Sequence, residues 1–397
     1  MQPELPDRAD TVVVGGGIAG TSSCFFLADR SDRSVLLVEK DTIASGSTGD
    51  SSAIIRHHYG SKAIYAKSAR WSHDFYRAFE DRTGEPLAYE PNPLVRLGVE
   101  RERSGDYALS GYDTLSSLDI PVSRLDRQSL EKAFPMLSLG DVDVGVVDET
   151  AAYSDAADAT MGFARAAQDR GATIATDTAV TDIETDDGGV TVVRTDRGVV
   201  DTEDVIVAAG PWTDRVMSSV GVEVPLNRSR EQVLLLELPE EFPKQYQGGL
   251  PTTSPPDADW YVREDFGDNV LIATHHSNGG ADPDTYKQTP DEAVKLRLID
   301  ELVAFCPELA AARLQGEYCG IYSNTPDYDF VIDQAGPTGC YLACGFSGHG
   351  FKHGPTVGRV ISDLVLEGET DLVDVEYFSL SRFDGDRRGH GNPEDSA

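Results

Sequence analysis

Residues 12–39 constrain the fold more than any other stretch. The apolar run Val12–Val14 enters the pattern Gly15-x-Gly17-x-x-Gly20, and a helix-compatible stretch follows to Arg30. A second apolar run then ends on Glu39. This order reads as a β-α-β unit with an acid at its far end. Gly15 permits the tight turn, Gly17 lets a pyrophosphate approach the backbone, and Gly20 lets the helix pack close to the strand. The helix start, Ile18 and Ala19, faces the phosphates with its N–H groups, and Glu39 accepts from a ribose hydroxyl. The unit alone does not distinguish FAD from NAD. No second strand-G-x-G-x-x-G-helix occurs in the chain. A single unit favours a flavin reduced directly by substrate.

Composition narrows the classes. A chain of 397 residues has room for two to three domain-sized units. The formal net charge of −34 opposes nucleic acid and anionic membrane as partners. The acids are spread along the chain and Lys is scarce beside Arg, which resembles proteins of salt-adapted microbes. Such self-repulsion makes stability depend on screening salt. No apolar run approaches the roughly 20 residues that span a bilayer, and the acidic N-terminus does not read as a signal peptide, so the expected compartment is the cytoplasm. Five cysteines at irregular spacing fit neither a zinc site nor a disulfide framework, and no metal is expected.

After Glu39 come Lys40 and a loop rich in Gly and Ser, whose Ser45, Gly46, Ser47 and Thr48 suit a wrap around a phosphate or flavin edge. Helices are expected over 62–84, 107–118, 128–133, 155–170, 291–305 and from Pro355 to about Glu367. One strand is expected over 172–184, and a buried strand over 205–209 enters the glycine turn at Gly210. The fold class is α/β: a Rossmann-like FAD-binding domain (1–85, 150–225 and 325–385) interleaved with a sheet-rich substrate domain (86–149 and 226–324). Residues 386–397 read as a disordered tail.

The segments GDSSAIIRHHYG, DVIVAAGPW, DPDT, YSNTPDYDFVID and GFSGHGFK together resemble the D-amino acid oxidase superfamily of FAD enzymes, and within it are most similar to the monomeric sarcosine oxidases. The resemblance covers Val12 to about Phe383. It implies that the stretch from Gly345, with Gly348, His349, Gly350, Phe351 and Lys352, passes beside the flavin ring. It implies that Arg56 and Lys352 hold a substrate carboxylate, and that Tyr261 lines the substrate cavity. Val180 falls where the family holds adenine by backbone, and Gly210 and Trp212 where it closes over the cofactor. His275 falls at the family's active-site histidine; by itself it reads equally as a histidine ending a strand.

Three departures matter. Gly320 stands where the sarcosine oxidases carry flavin on a cysteine, and Cys319 is one residue off, which on a strand points it to the opposite face. FAD is therefore expected to be noncovalent. Ala53 replaces an arginine, and a gapless count puts Leu271 where those oxidases have a lysine that assists oxygen. The expected activity is oxidation of the C–N bond of a small carboxylate-bearing amine (N-methyl, secondary or D-configured), with O2 or an electron carrier as acceptor. A 2-hydroxy acid dehydrogenase with His275 as base, and a flavin-bearing subunit of a larger complex, are the alternatives.

Overall fold

The computed structural model describes residues 4–384 apart from 241, 243–248, 276 and 278. Strand β1 (Thr11–Val14), helix α1 (Ile18–Arg30) and strand β2 (Val35–Val38) form the expected unit. They sit in a six-stranded sheet ordered Val331–Gln334, Cys340–Cys344, Asp204–Val207, β1, β2, Thr173–Ala175. All neighbours run parallel except the first pair. Val12 lies between Val205 and Leu36, and all three are fully buried, which is why these strands read as unbroken apolar runs. Helix α1 packs against helices Ala156–Asp169 and Gly350–Glu367. Phe25, Phe26, Phe75 and Phe163 interlock there with ring centroids 5.1–6.5 Å apart.

A second, eight-stranded sheet runs Arg313–Asn324, Asn227–Glu237, Asn269–Thr274, Trp260–Asp265, Thr252–Ser254, Leu94–Gly98, Val144–Asp148, Val122–Asp126. Helix Glu292–Phe305 closes its core by burying Leu298, Leu302 and Phe305 beside Trp260 and Leu234. A small sheet of Ile54–Ile55, Ala152–Ser154 and Tyr89–Pro91 joins early segments of the chain, and Val180–Asp186 begins a three-stranded meander. The architecture is the expected α/β fold with interleaved segments. Among the described residues no helix is long and apolar enough to cross a membrane. The tail expected at 386–397 lies outside the described residues.

Four expected elements differ, among them the helix over 107–118, which begins earlier, at Arg103. The single strand over 172–184 is two strands in different sheets, Thr173–Ala175 and Val180–Asp186. Asp177 adopts φ 48° between them, and its N–H bonds to Asp41 O, so the chain turns back onto β2. The helix over 62–84 breaks at Ala78 into Ala63–Arg77 and Phe79–Thr83. The last helix starts at Gly350, not Pro355. Proline at that depth lacks the N–H that would bond Phe351 O. The Tyr76 hydroxyl donates to Phe351 O instead, at 2.7 Å. Lys352 and His353 thus lie on a helical turn rather than in a glycine loop.

Removing that substitute donor should be costly, because it leaves a buried carbonyl unpaired. Tyr76→Phe is expected to destabilise the fold by about 1–3 kcal/mol, read from the urea midpoint. A shift within error would mean that the carbonyl finds another donor.

Candidate active site

The carboxyl ends of the central strands β1, β2 and Asp204–Val207 open into a cavity of about 600 Å³. Gly15, Gly17, Ile18 and Ala19 form one wall, and Glu39 and Lys40 the next. The loop Ser45, Gly46, Ser47 and Thr48 lines it, as do Val180, Gly210 and Trp212. Gly20 does not line it. A Cβ there would lie 2.0 Å from Gly15 O, so its role is close helix–strand packing. Gly15, at φ 112°, has no room for a side chain either: its Cβ would meet Ala208 O at 2.4 Å. Gly17 is different, since its added Cβ would meet only Thr48 Oγ1, at 3.2 Å.

Those residues fit a dinucleotide. The start of α1 carries no side-chain cap and no acid in its first turn, which leaves its positive end to an anion. Thr48 Oγ1 accepts from Ile18 N at 3.2 Å and fixes the loop against it. Glu39 accepts from Gly16 N at 2.6 Å and from Asp41 N at 2.9 Å, so it shapes the glycine turn as well as facing the cavity. Lys40 lies 4.3 Å from the Trp212 ring centroid, closing the cavity from above Gly46.

Gly345–Phe351 bounds the cavity further along. Gly348 has φ 83°, and a Cβ there would come within 2.5 Å of the Tyr322 ring. His349 N bonds Phe346 O at 2.7 Å, and Ser347 N bonds Ser323 O at 3.0 Å, which pins the turn to the second sheet. Gly348 is bare because an aromatic ring from the other sheet occupies the space, whereas a Cβ at Gly345 would meet Thr325 and one at Gly350 the Phe346 side chain. Gly350 and Phe351 line the large cavity, whereas His349 and Lys352 line a smaller one beside it.

The strand Arg313–Asn324 turns Gly320 toward the large cavity and Cys319 away from it, buried. The bulge in its pairing falls at Leu235–Leu236, well before Cys319, so the register there is regular. Burial pushes the Cys319 thiol up to about 11. A Cβ at Gly320 would lie 3.0 Å from Asp50 Cβ. Asp50 and Glu231, which the sequence did not single out, both line this region. Burial pushes the Asp50 carboxyl up to about 6, while the Tyr286 hydroxyl, 3.5 Å away, draws it down. Glu231 accepts from Ser229, Thr274 and Ser277 hydroxyls at 2.7–3.0 Å. Leu271 packs with Val233 and Ala273 and lines neither cavity; Ala273 and Thr274 are the residues of its strand that line the large one. Ala53 is buried at φ 49° and also lines neither.

The smaller cavity, about 70 Å³, meets the large one at Ser52, Tyr261, Tyr322, Ser347 and Gly348. Arg56, Lys352 and His275 line it, and Arg96, invisible to sequence reasoning, lines it too. Arg56 is buried, donates to His58 O, and lies 4.3 Å from the Tyr59 ring centroid. Tyr59 Oη is 2.8 Å from His353 Nε2, whose Nδ1 is 2.8 Å from Ser68 Oγ. Burial, with the charges of Lys352 and Arg56, holds the His353 imidazole far below its ordinary value, so it stays neutral. Tyr261 donates to Ser52 Oγ at 2.8 Å, and burial raises its hydroxyl. His275 ends strand Asn269–Thr274 with its ring 6.1 Å from Tyr261.

The chain is similar to known proteins over most of its length. The family model DAO, "FAD dependent oxidoreductase", matches residues 10–364. Monomeric sarcosine oxidase of Arthrobacter sp. (strain TE1826) is 26% identical over 384 residues, covering 94% of this chain and 96% of its own. Human peroxisomal sarcosine oxidase is 25% identical over 407 residues, covering 97% and 98%. The crystal structure of L-proline dehydrogenase from P. horikoshii superposes with a TM-score of 0.86 at 22% identity, over 96% of this chain and 99% of that one.

Asp50 should leave a pH signature on the apoprotein. Its carboxyl titrates higher folded, about 6, than unfolded, about 3.8. The stabilisation is complete below the unfolded value and is lost as pH rises through 6. Asp50→Asn stays neutral throughout. It should therefore melt higher than wild type at pH 8, by roughly 2 °C, and the gap should close toward pH 4. A gap that widens on acidification would contradict the assignment.

Proposed function

Because the chain belongs to the DAO family of FAD-dependent oxidoreductases, we propose that it oxidises the C–N bond of a small amino acid whose nitrogen is N-methylated, secondary or on a D-configured carbon. The observation that carries this is the small cavity, lined by Arg56 and Lys352, opening onto the cofactor cavity at Gly348. Arg56 and Lys352 hold the α-carboxylate. Tyr261 and His275 bound the rest of the substrate, and the neutral Tyr59–His353 pair keeps Arg56 in place from behind. FAD, when bound, supplies the acceptor for the hydride lost from carbon. The nitrogen lone pair forms the new C=N bond, a proton leaves nitrogen, and water then hydrolyses the imine. Orientation in the cavity supplies most of the rate, so no strong side-chain base is needed.

FAD is held without a covalent bond. The direction of Cys319, away from the cavity and with its thiol pushed up, supports this. Acid precipitation should release all flavin into the supernatant; flavin retained on the pellet would overturn the point. The cofactor domain is 1–85, 150–225 and 325–385, and the substrate domain 86–149 and 226–324. The cytoplasm is its compartment, which five free thiols support. A second reading, oxidation of a 2-hydroxy acid, draws on His275 beside the small cavity as base for the alcohol proton.

Anaerobic mixing with amino acids and hydroxy acids decides between them: flavin bleached by lactate or 2-hydroxyglutarate, and by no amine, would favour the second. On the first reading, Arg56→Gln and Lys352→Met should each raise KM about 10- to 150-fold with flavin still bound. If dimethylamine turns over as well as N-methylglycine in wild type, no carboxylate is read.

The acceptor is a dye- or quinone-like carrier more than O2. Among the described residues lining the large cavity the cations are Lys40 and Arg215, both near Trp212 and Asp284, while Asp50, Glu231 and Ala273 line the region beside Gly320 and Tyr261. Oxygen gaining an electron there finds no cation in the large cavity's own lining beside Gly320, and a bound product carboxylate would neutralise Arg56 and Lys352 in the small one. Turnover with a quinone should exceed turnover with O2, and Ala273→Lys should narrow the difference. Reoxidation by air as fast as substrate reduction would refute it.

A further inference from the structure

We propose that the small cavity takes an amine bearing two carboxylates, with Arg56 and Lys352 on the one beside the reacting carbon and Arg96 on the second. This deepens the amino-acid reading above and rests on it. The cations come from different parts of the fold. Arg56 follows strand Ile54–Ile55, and Lys352 lies on the first turn of helix Gly350–Glu367. Arg96 lies in strand Leu94–Gly98, in register with Ser254 on one side and Val146 on the other. Leu94 and Arg96 are two residues apart, so both side chains leave the same face of that strand, and both line the cavity.

Charge makes the cavity unusual. Among the described residues lining it there are three basic side chains, Arg56, Arg96 and Lys352, and no carboxylate. Like charges gathered in a small, half-buried space repel, and an anionic ligand relieves them. One carboxylate cancels one charge and leaves the others facing the amine. A second carboxylate cancels another. A guanidinium suits it because its planar N–H fork matches a carboxylate in two bonds. Arg96 is backed by the Tyr107 ring at 5.8 Å, as Arg56 is by Tyr59 at 4.3 Å. The hydroxyl protons of Thr252 and Thr253, which also line the cavity, go to Asn92 Oδ1 and Val95 O, at 2.7 and 2.9 Å, so the side-chain donors for a ligand on that wall are those of Arg96. Burial, with the charges of Arg96 and Arg56, lowers the buried His58 imidazole behind this wall to about 3.

The test uses the holoenzyme and matched pairs. Iminodiacetate is compared with N-methylglycine, and N-methylaspartate with N-methylalanine in both enantiomers, by anaerobic flavin reduction and by kcat/KM. Wild type should favour the dicarboxylate in at least one pair by about 10-fold or more, and Arg96→Gln should cut that preference about 10- to 100-fold. Arg96→Lys should restore part of it. A wild-type preference for the monocarboxylates, or an equal loss on both members of each pair in Arg96→Gln, would overturn the proposal. If no amine reduces the flavin, the amino-acid reading falls, and succinate against butyrate, titrated by the change in flavin absorbance, decides the anion site alone. Succinate binding about 10-fold tighter in wild type but not in Arg96→Gln supports it, and equal binding overturns it.

Discussion

Glu39 holds together the three chain segments on which the cofactor cavity is built. Its two carboxylate oxygens accept from Gly16 N and Asp41 N, and its own backbone pairs with Ala175 O and Thr178 N. Charge-assisted bonds of this kind are short and directional. They fix the glycine turn, the loop that follows β2, and the reversal at Asp177 relative to one another. Val180 reaches the cavity wall only because that reversal is held, and Thr48 meets Ile18 N because the loop is. The acid expected to meet a ribose is thus also the fastener of the site that would receive it.

Two electrostatic environments adjoin at Tyr261, Tyr322 and Gly348. Among the described residues, the large cavity is lined by Glu39, Asp41, Asp50, Asp182, Glu231 and Asp284 against Lys40 and Arg215, while the Lys, Arg, Asp and Glu residues lining the small one are Arg56, Arg96 and Lys352. A phosphate-bearing cofactor in the first depends on backbone N–H groups and the start of α1 rather than on basic side chains. A chain of net charge −34 repels small anions at long range. On the proposed reading, Arg56, Arg96 and Lys352 would act on a carboxylate at contact distance, where the field is theirs.

How much of this was legible depends on the range of the interaction that fixes each residue. The β-α-β unit is local, so Gly15, Gly17, Gly20 and Glu39 could be placed directly, down to the tight turn at Gly15 and the close packing at Gly20. The direction of Cys319 followed from strand alternation. Arg96 and Glu231 could not be found, because their place is set by pairing between strands far apart in sequence, Leu94–Gly98 with Thr252–Ser254 and Asn227–Glu237 with Arg313–Asn324. Asp50 lay in a loop read for its small residues. Pro355 misled because proline usually opens a helix, and the phenol that substitutes for its missing N–H comes from residue 76. The reversal at Asp177 carries no Gly or Pro to mark it.

The interleaving of the chain also sets a timetable. The central parallel sheet needs Cys340–Cys344 beside Asp204–Val207, and the cavity that begins with Gly15 is closed by Gly350 and Phe351. A chain emerging from the ribosome therefore exposes its phosphate-binding turn more than three hundred residues before the far wall of the cavity exists. Contacts of such sequence separation form late and slowly. Capture of the cofactor is then an event of the finished polypeptide, and the apolar strands Val12–Val14 and Val35–Val38 must wait, half covered, until the C-terminal segment arrives.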